Sequence, residues 1–403
     1  MHINLLALSV PFFLVFILLE FWIARRQGKD YFSFAQSVSN LNVGIVERLS
    51  DAFVTGSFYF VYDYLYRHFA VWHIEPSWYS WILLLVVTDF VWYWYHRLGH
   101  EVNLLWGLHI VHHQSPEFNF TASTRITVFQ AAVRTCFWSV LPILGFPAPM
   151  ITSILIIHGV YPFFTHTRLV GKLGWLEYVF VTPSHHRVHH ASNEQYLDKN
   201  YGDVFIFWDK LFGTFKEEKE EPVYGLTKPL NSYSFLWQHF HFLLEMAYAM
   251  RKTNDFGQKW RILVGSPDMI DPRYREILER KYRMYNSSKP APARLNRYVM
   301  GQIAFTLALL FVFLCVEALC SAEVKWLIAG FILITVINCG AILERRRWIF
   351  HVEMIRAALI ATGLVVYLPA MPVFVLVGLF FVLSVHQYDT LEAGYFRLVY
   401  RRA

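Results

Sequence analysis

Three histidine clusters stand between His96 and His190. His96 and His100 form an HxxxH pair, His109, His112 and His113 an HxxHH set, and His186, His189 and His190 a second HxxHH set. Eleven of the eighteen histidines fall between these limits, so they are concentrated rather than scattered. Imidazole is the commonest protein ligand for iron and zinc. Histidines packed this densely would repel one another if protonated, whereas a bound cation needs them neutral and so accounts for their company. On a helix, residues three and four apart share a face, which lets each cluster present its rings together. Surface histidines acting as polar anchors explain one such cluster tolerably and three poorly.

A site this rich in neutral nitrogen suits a redox metal. Soluble di-iron bundles rely on glutamates with Glu-x-x-His motifs. Here imidazole dominates and leaves a more positive centre. Two metals sharing eight or nine nitrogens retain room for dioxygen, and such a centre can oxidise an unactivated alkyl C–H bond, which no side chain does alone. A zinc hydrolase needs only three protein ligands and an open position, so it leaves most of these histidines unexplained. A metal transporter or sensor, a reading from another class, would need polar residues within several spans. The histidines instead gather at one surface.

The elements that must carry these clusters are apolar. The 403 residues are 56% hydrophobic and 18% aromatic with only 16% charged, a balance that fits an integral membrane protein and not a soluble one. Mean hydropathy is +0.34. The net charge of +6 sits beside apolar spans, so membrane topology explains it and no nucleic-acid partner is expected. Cys136, Cys315, Cys320 and Cys339 show neither metal spacing nor a disulfide framework, and read as small core residues.

Apolar segments are expected at 3–23, 41–66 and 78–95, the last delivering His96. Residues 126–157 read as a hairpin of two helices broken near Gly145-Phe146-Pro147-Ala148-Pro149, returning the chain to the starting side near His166. A polar part follows from 167 to about 296, closed by a linker at Pro290-Ala291-Pro292. Four more apolar segments lie near 298–320, 324–343, 354–368 and 371–385. Counting crossings puts Arg25-Arg26, Arg345-Arg346-Arg347, Arg401-Arg402 and all three clusters on one side, the cytoplasmic one. The expected fold is therefore all-α: a polytopic membrane helical bundle with a cytoplasmic histidine-rich di-metal cap. Its domains are a membrane part that carries the histidine clusters at 1–296 and a transmembrane helical extension at 297–403. Asp89, seven residues before His96, lies on the same helix face and is a candidate to orient a ligand imidazole.

These residues resemble the membrane fatty acid hydroxylase / sterol desaturase superfamily, whose three histidine boxes have the spacings above. The likeness extends to Asp89-Phe90-Val91-Trp92-Tyr93-Trp94-Tyr95-His96-Arg97, to His100-Glu101-Val102-Asn103, to Thr182-Pro183-Ser184-His185-His186, to Asp198-Lys199-Asn200-Tyr201 and to Trp208-Asp209-Lys210-Leu211-Phe212-Gly213-Thr214-Phe215. Together with the C-terminal helices, these stretches are most similar to a subgroup that cleaves glyceryl ethers. The resemblance implies two iron ions ligated by His96, His100, His109, His112, His113, His186, His189 and His190. His166, in a His-Thr pair, is implied as a ninth ligand. Glu101 is implied as a bridging ligand, a group behind the ligands or a cofactor contact. His158 and His185 read as neighbours of the ligands, and Arg125 and Arg187 as candidates to hold a phosphate or pterin. The implied reaction is oxidation of a lipid alkyl chain with dioxygen, with O-alkyl cleavage of an alkylglycerol through a hemiacetal the leading case. Hydroxylation or desaturation of a fatty acid or sterol is the alternative. No flavin, nicotinamide or cytochrome motif stands in the chain, so electrons are expected from an external donor, tetrahydrobiopterin or another reduced compound.

Overall fold

The computed structural model describes residues 5–284 and 292–400, which are helical and loop, with no strand beyond two isolated bridges. Contacts divide the chain into two compact units. One comprises Phe13–Asn231 with Trp237–Met284, and the other Met1–Phe12, Ser232–Leu236 and Tyr285–Ala403.

Helix α1 (Leu5–Arg26) is an apolar run closed by Arg25 and Arg26, whose charges complement the helix dipole, and by Gly28 at φ +66°. Helix α2 (Phe34–Phe69) starts on Ser33, whose hydroxyl accepts from the Gln36 amide. Helix α3 (Trp78–Glu101) starts on a capping box of Ser77 and Ser80. Helix α4 (Asn103–His113) follows after a single residue, so the first two histidine clusters lie on neighbouring helices. A one-turn helix, α5 (Phe120–Ser123), leads to α6 (Gln130–Trp138), α7 (Val140–Leu144) and α8 (Ala148–Thr165). Tyr62, Leu84, Tyr95, Trp138, Leu141 and Ile154 make the core between α2, α3 and the α6–α8 segment. Gly145, at φ +106°, turns the chain where a Cβ would stand 2.1 Å from the Trp72 carbonyl oxygen, so only glycine fits.

The polar part carries α9 (Pro183–His189), α10 (Phe207–Leu211), α11 (Phe235–Arg251), α12 (Phe256–Val264) and α13 (Arg273–Tyr282). The last stretch holds α14 (Ala293–Val316), α15 (Ala322–Leu343), α16 (Ile349–Tyr367), α17 (Met371–His386) and α18 (Tyr388–Tyr400), with α17 and α18 bent by 76°. Between α14, α15 and α16 a polar network surrounds the buried Arg356, which donates to Thr335, Glu353 and Gln302, while Tyr298 and Asn338 donate to Glu353.

Five of the described helices, α1, α8, α14, α15 and α16, are long and apolar enough to cross a membrane, and the bent α17–α18 pair is a sixth if it counts as one span. The protein is thus an integral membrane protein. The hairpin expected at 126–157 differs in its first arm, which is split into α6 and α7. Their 14 residues, 9 and 5, reach about 20 Å, short of the ~30 Å hydrocarbon core. The cysteines are all free, but only Cys339 is buried; Cys136 and Cys315 lie on exposed helix faces instead of in the core. Most of the expected linker, Pro290 and Ala291, lies outside the described residues, as do Arg401 and Arg402.

Candidate metal centre

Nine histidines converge in two adjoining groups. His96, His100, His109, His113 and His189 form one, and His112, His166, His186 and His190 the other; in each, the ligand nitrogens all lie within 4.8 Å of one another. Helix geometry makes the division. In α4 the i, i+4 pair His109 and His113 faces the first group, and His112 turns to the second. In α9 the sense is reversed: His186 and His190 face the second group and His189 the first. The two HxxHH sets are therefore exchanged between the groups. His113 and His190 stack at the junction, ring centroids 4.3 Å apart. The end of α3 adds His96 and His100, and His166 caps α8.

The ring orientations suit a cation. Backbone carbonyls, which can only accept, hold four Nδ1–H groups: His96 donates to Tyr201 (2.8 Å), His112 to Arg125 (3.1 Å), His166 to Pro162 (2.6 Å) and His189 to Lys199 (3.0 Å). This leaves each Nε2 a bare lone pair. The Nε2 of His166 nevertheless lies 3.3 Å from that of His112 and 3.1 Å from those of His186 and His190. His112 and His166 cannot hydrogen-bond through two lone pairs, and a cation between them resolves the contact. Two nitrogens each about 2.1 Å from one ion, at roughly 90–110°, stand about 3.0–3.4 Å apart, which matches these separations. In the other group the buried Nε2 atoms of His96, His100 and His189 have no hydrogen-bond partner. Burial, the largest cause, pushes all nine imidazoles down: His96 and His166 to about 4, the other seven well below the usual range, helped by neighbouring rings. They are neutral at physiological pH, the state that binds metal. The residues present fit a metal pair.

The loop that supplies two of these carbonyls is tightly held. Asp198 and Asn200 both have φ +56°, a left-handed backbone that costs energy for a side-chain-bearing residue and aims Lys199 and Tyr201 at the rings. The Asn200 amide donates to the carbonyls of His185 and Lys216 and accepts from the Lys216 amide. Asp209 accepts from the amides of Tyr201 and Gly202 and from the Thr214 hydroxyl. A Cβ on Gly202 would meet the Phe205 carbonyl oxygen at 2.6 Å. On the other side, Glu20 of α1 accepts from the Phe120 amide and the Thr167 hydroxyl, both at 2.6 Å, and so fixes the residue after His166. Asn200, Asp209 and Glu20 escaped the sequence reading as site residues. A lone glutamate inside the apolar run of α1 was the available signal for Glu20.

Asp89 does not reach any of the nine rings. Its carboxylate accepts from the amides of Val204 and Phe205 and the indole of Trp208, which pins the segment following Tyr201. The imidazole nearest to it is His158, 3.9 Å away and outside both groups. His158 donates from Nδ1 to Asp203 at 2.6 Å. Two ligands of one ion would stand further apart, so a shared proton accounts for this pair better than a metal does. His185 is a helix cap: its Nδ1 accepts from the Thr182 amide at the start of α9. Glu101 pairs with Arg97 at 2.8 Å on an exposed face and joins neither group.

Neither candidate anion-binding arginine is free. Arg125 is buried and donates to Val111, Ser39, Asn40, Gln114 and Gln238; burial lowers it to about 9, so it stays charged at neutral pH. Arg187 holds Glu218 through two hydrogen bonds and also donates to the carbonyls of Thr167 and Val170. It lines a cleft of about 330 Å³ with Tyr31, Arg168, Glu218, Glu221 and Tyr224. Phe118 lies between this cleft and the four-histidine group, stacked on Tyr224 (4.9 Å) and on His166 (5.3 Å).

Comparison with known proteins adds identity to this geometry. Residues 81–214, which hold the first two histidine clusters and the third, match the family model "Fatty acid hydroxylase". Human alkylglycerol monooxygenase is 32% identical over 349 residues, spanning 84% of this chain and 77% of its own length. The Danio rerio alkylglycerol monooxygenase is 29% identical over 373 residues, 87% of this chain and 80% of its own. Ornithine lipid hydroxylase OlsE of Rhizobium tropici is 31% identical over 135 residues, 33% of this chain and 41% of its own. No solved structure matches. Apolar helices, clustered imidazoles and these relatives together define a membrane-bound monooxygenase of lipid chains, with iron the metal the site and family point to. Within that class, the chain belongs to the alkylglycerol monooxygenase family.

Proposed function

We propose that this chain hydroxylates the carbon beside the ether oxygen of an alkylglycerol, giving a hemiacetal that collapses to a fatty aldehyde and glycerol. The observation that carries the metal side of this reading is the division of nine neutral histidines into one group of five and one of four. The relatives named alkylglycerol monooxygenase support the substrate. Two iron ions would be held, one by His96, His100, His109, His113 and His189, the other by His112, His166, His186 and His190. When bound, the pair supplies dioxygen activation. The chain's own part is to keep the imidazoles neutral, orient them through backbone carbonyls and exclude water by burial. Two electrons come from an external donor, tetrahydrobiopterin or another reduced compound. Glu101, exposed beside His100, stands where a soluble donor can reach, and Asp89 acts as a positioning residue. No nucleic acid takes part. The site faces the cytoplasm, residues 1–296 carry catalysis, and 297–403 are a helical extension.

The test supplies an alkylglycerol, oxygen and reduced pterin to purified protein and measures fatty aldehyde and iron. Wild type should form aldehyde and hold about two irons, the content expected of a two-ion imidazole site. His109→Ala and His112→Ala, drawn from different groups, should each lower iron content and abolish aldehyde. Oxidation of fatty acids or sterols with none of alkylglycerols would remove the substrate and keep the metal. Well-folded protein without bound metal would remove the whole reading.

A further inference from the structure

Helix α12 exposes apolar side chains that a water-facing surface would not carry. Phe256, Trp260 and Val264 are four residues apart and share one face. They are 81%, 57% and 42% exposed. Met269, just beyond the helix, is 56% exposed. The helix is not loose. Asp255 caps its N-terminus by accepting from the Gln258 amide, and Ile262 and Leu263 pack into the cluster of Ile110, Phe242 and Met246. Its second apolar face is thus additional to the one the fold uses. The stretch 251–264 also holds four basic side chains, Arg251, Lys252, Lys259 and Arg261, against one acidic, Asp255. Aromatic and aliphatic groups on one face with cations alongside are the make-up of a helix lying in a membrane surface. At nine residues it is far too short to span. The Gly265 carbonyl, one residue past the helix, accepts from the Asn103 amide at the start of α4, which ties α12 to the helix that carries His109, His112 and His113.

We infer that α12 is an in-plane membrane helix that binds the headgroup–acyl boundary of an anionic lipid surface through Phe256, Trp260 and Val264. The excess of basic side chains selects a lipid surface over a second copy of the chain, whose matching patch would carry the same positive charge. Because α12 packs on α4, which carries His109, His112 and His113, the contact seats the histidine centre at the bilayer surface. The inference does not depend on the substrate or on the number of ions.

Full-length protein with its native cysteines replaced is spin-labelled at Trp260→Cys or, on the polar face, at Gln258→Cys. It is reconstituted in phosphatidylcholine vesicles with and without phosphatidylglycerol. Collisions with oxygen, which partitions into lipid, are compared with collisions with a water-soluble nickel chelate. Position 260 should favour oxygen severalfold, more so with phosphatidylglycerol, while 258 favours nickel. Phe256→Cys, on the same face, gives the same reading if Trp260→Cys fails to fold, as judged by retained iron. Nickel access at 260 and 256 equal to that at 258 would overturn the inference. Shielding of both positions from both reagents would also overturn it, since that marks contact with protein.

Discussion

The nine imidazoles are unusual for how little water reaches them: seven are buried and two, His100 and His112, half-buried. A buried imidazole resists protonation, and the direction sets a pH dependence. His96 and His166 sit at about 4 in the folded chain against about 6.5 when unfolded. The unfolded chain therefore binds more protons between these values, and stability rises with pH across that window. Metal binding strengthens the effect, because it too requires neutral rings. Iron content and thermal stability, measured together from pH 7.5 to 4, are expected to hold above about pH 6.5 and to fall progressively below it. A flat profile through that range would mean that the rings are not held neutral by burial. Sequence spacing was enough to find eight of these residues, because i, i+3 and i, i+4 relations are local, whereas His166 came only from the family resemblance. It was not enough to show that each HxxHH set is shared between two groups, since that depends on how α4 and α9 meet.

Between residue and bundle stands the 198–215 segment. Its likeness to the family was visible as a string of letters, but its job was not, because the partners that tie it to the site, Asp89 and His96, are distant in sequence. Asp89 holds the amides of Val204 and Phe205 from 115 and 116 residues away, and Asp209 fixes Tyr201, whose carbonyl orients His96. Asp89 was read as a candidate to orient a ligand imidazole because it shares a helix face with His96; the structure sets its carboxylate on the segment that follows Tyr201, not on a ring. Asp89→Ala would leave one buried and two partly buried donors without an acceptor, the buried one costing about 1–3 kcal/mol and the others less. The variant should unfold several degrees lower and purify with reduced iron. Asp89→Asn, which keeps one carbonyl oxygen to accept, should lie between it and wild type. Full iron content in Asp89→Ala would show that the segment needs no such clamp.

At the scale of the whole molecule, composition and the long apolar runs predicted a membrane bundle, and five helices of spanning character bear that out. The crossing count was harder to read: α2 and α3, expected as spans, are not among the helices of spanning character, and hydropathy alone did not expose the split of the first hairpin arm into α6 and α7. The network around the buried Arg356 was also hidden, because its partners come from three helices. Charge is nevertheless what supports the proposed orientation. Arg25 and Arg26 close α1, and Arg345, Arg346 and Arg347 lie between α15 and α16, whereas the turn between α2 and α3 has only Arg67 near it. His96 and His100 at the end of α3 meet His166 at the end of α8, so both helix ends open on one side of the molecule, opposite the turn that links α2 to α3. The positive-inside rule supports the proposal that the histidine side is the cytoplasmic one. In intact cells, a membrane-impermeant maleimide should label His73→Cys, an exposed position in that turn, and spare Glu194→Cys, an exposed position beside α9. After permeabilisation both should react. Labelling of position 194 in intact cells, with 73 protected, would reverse the orientation and require the electron donor to act from the opposite side.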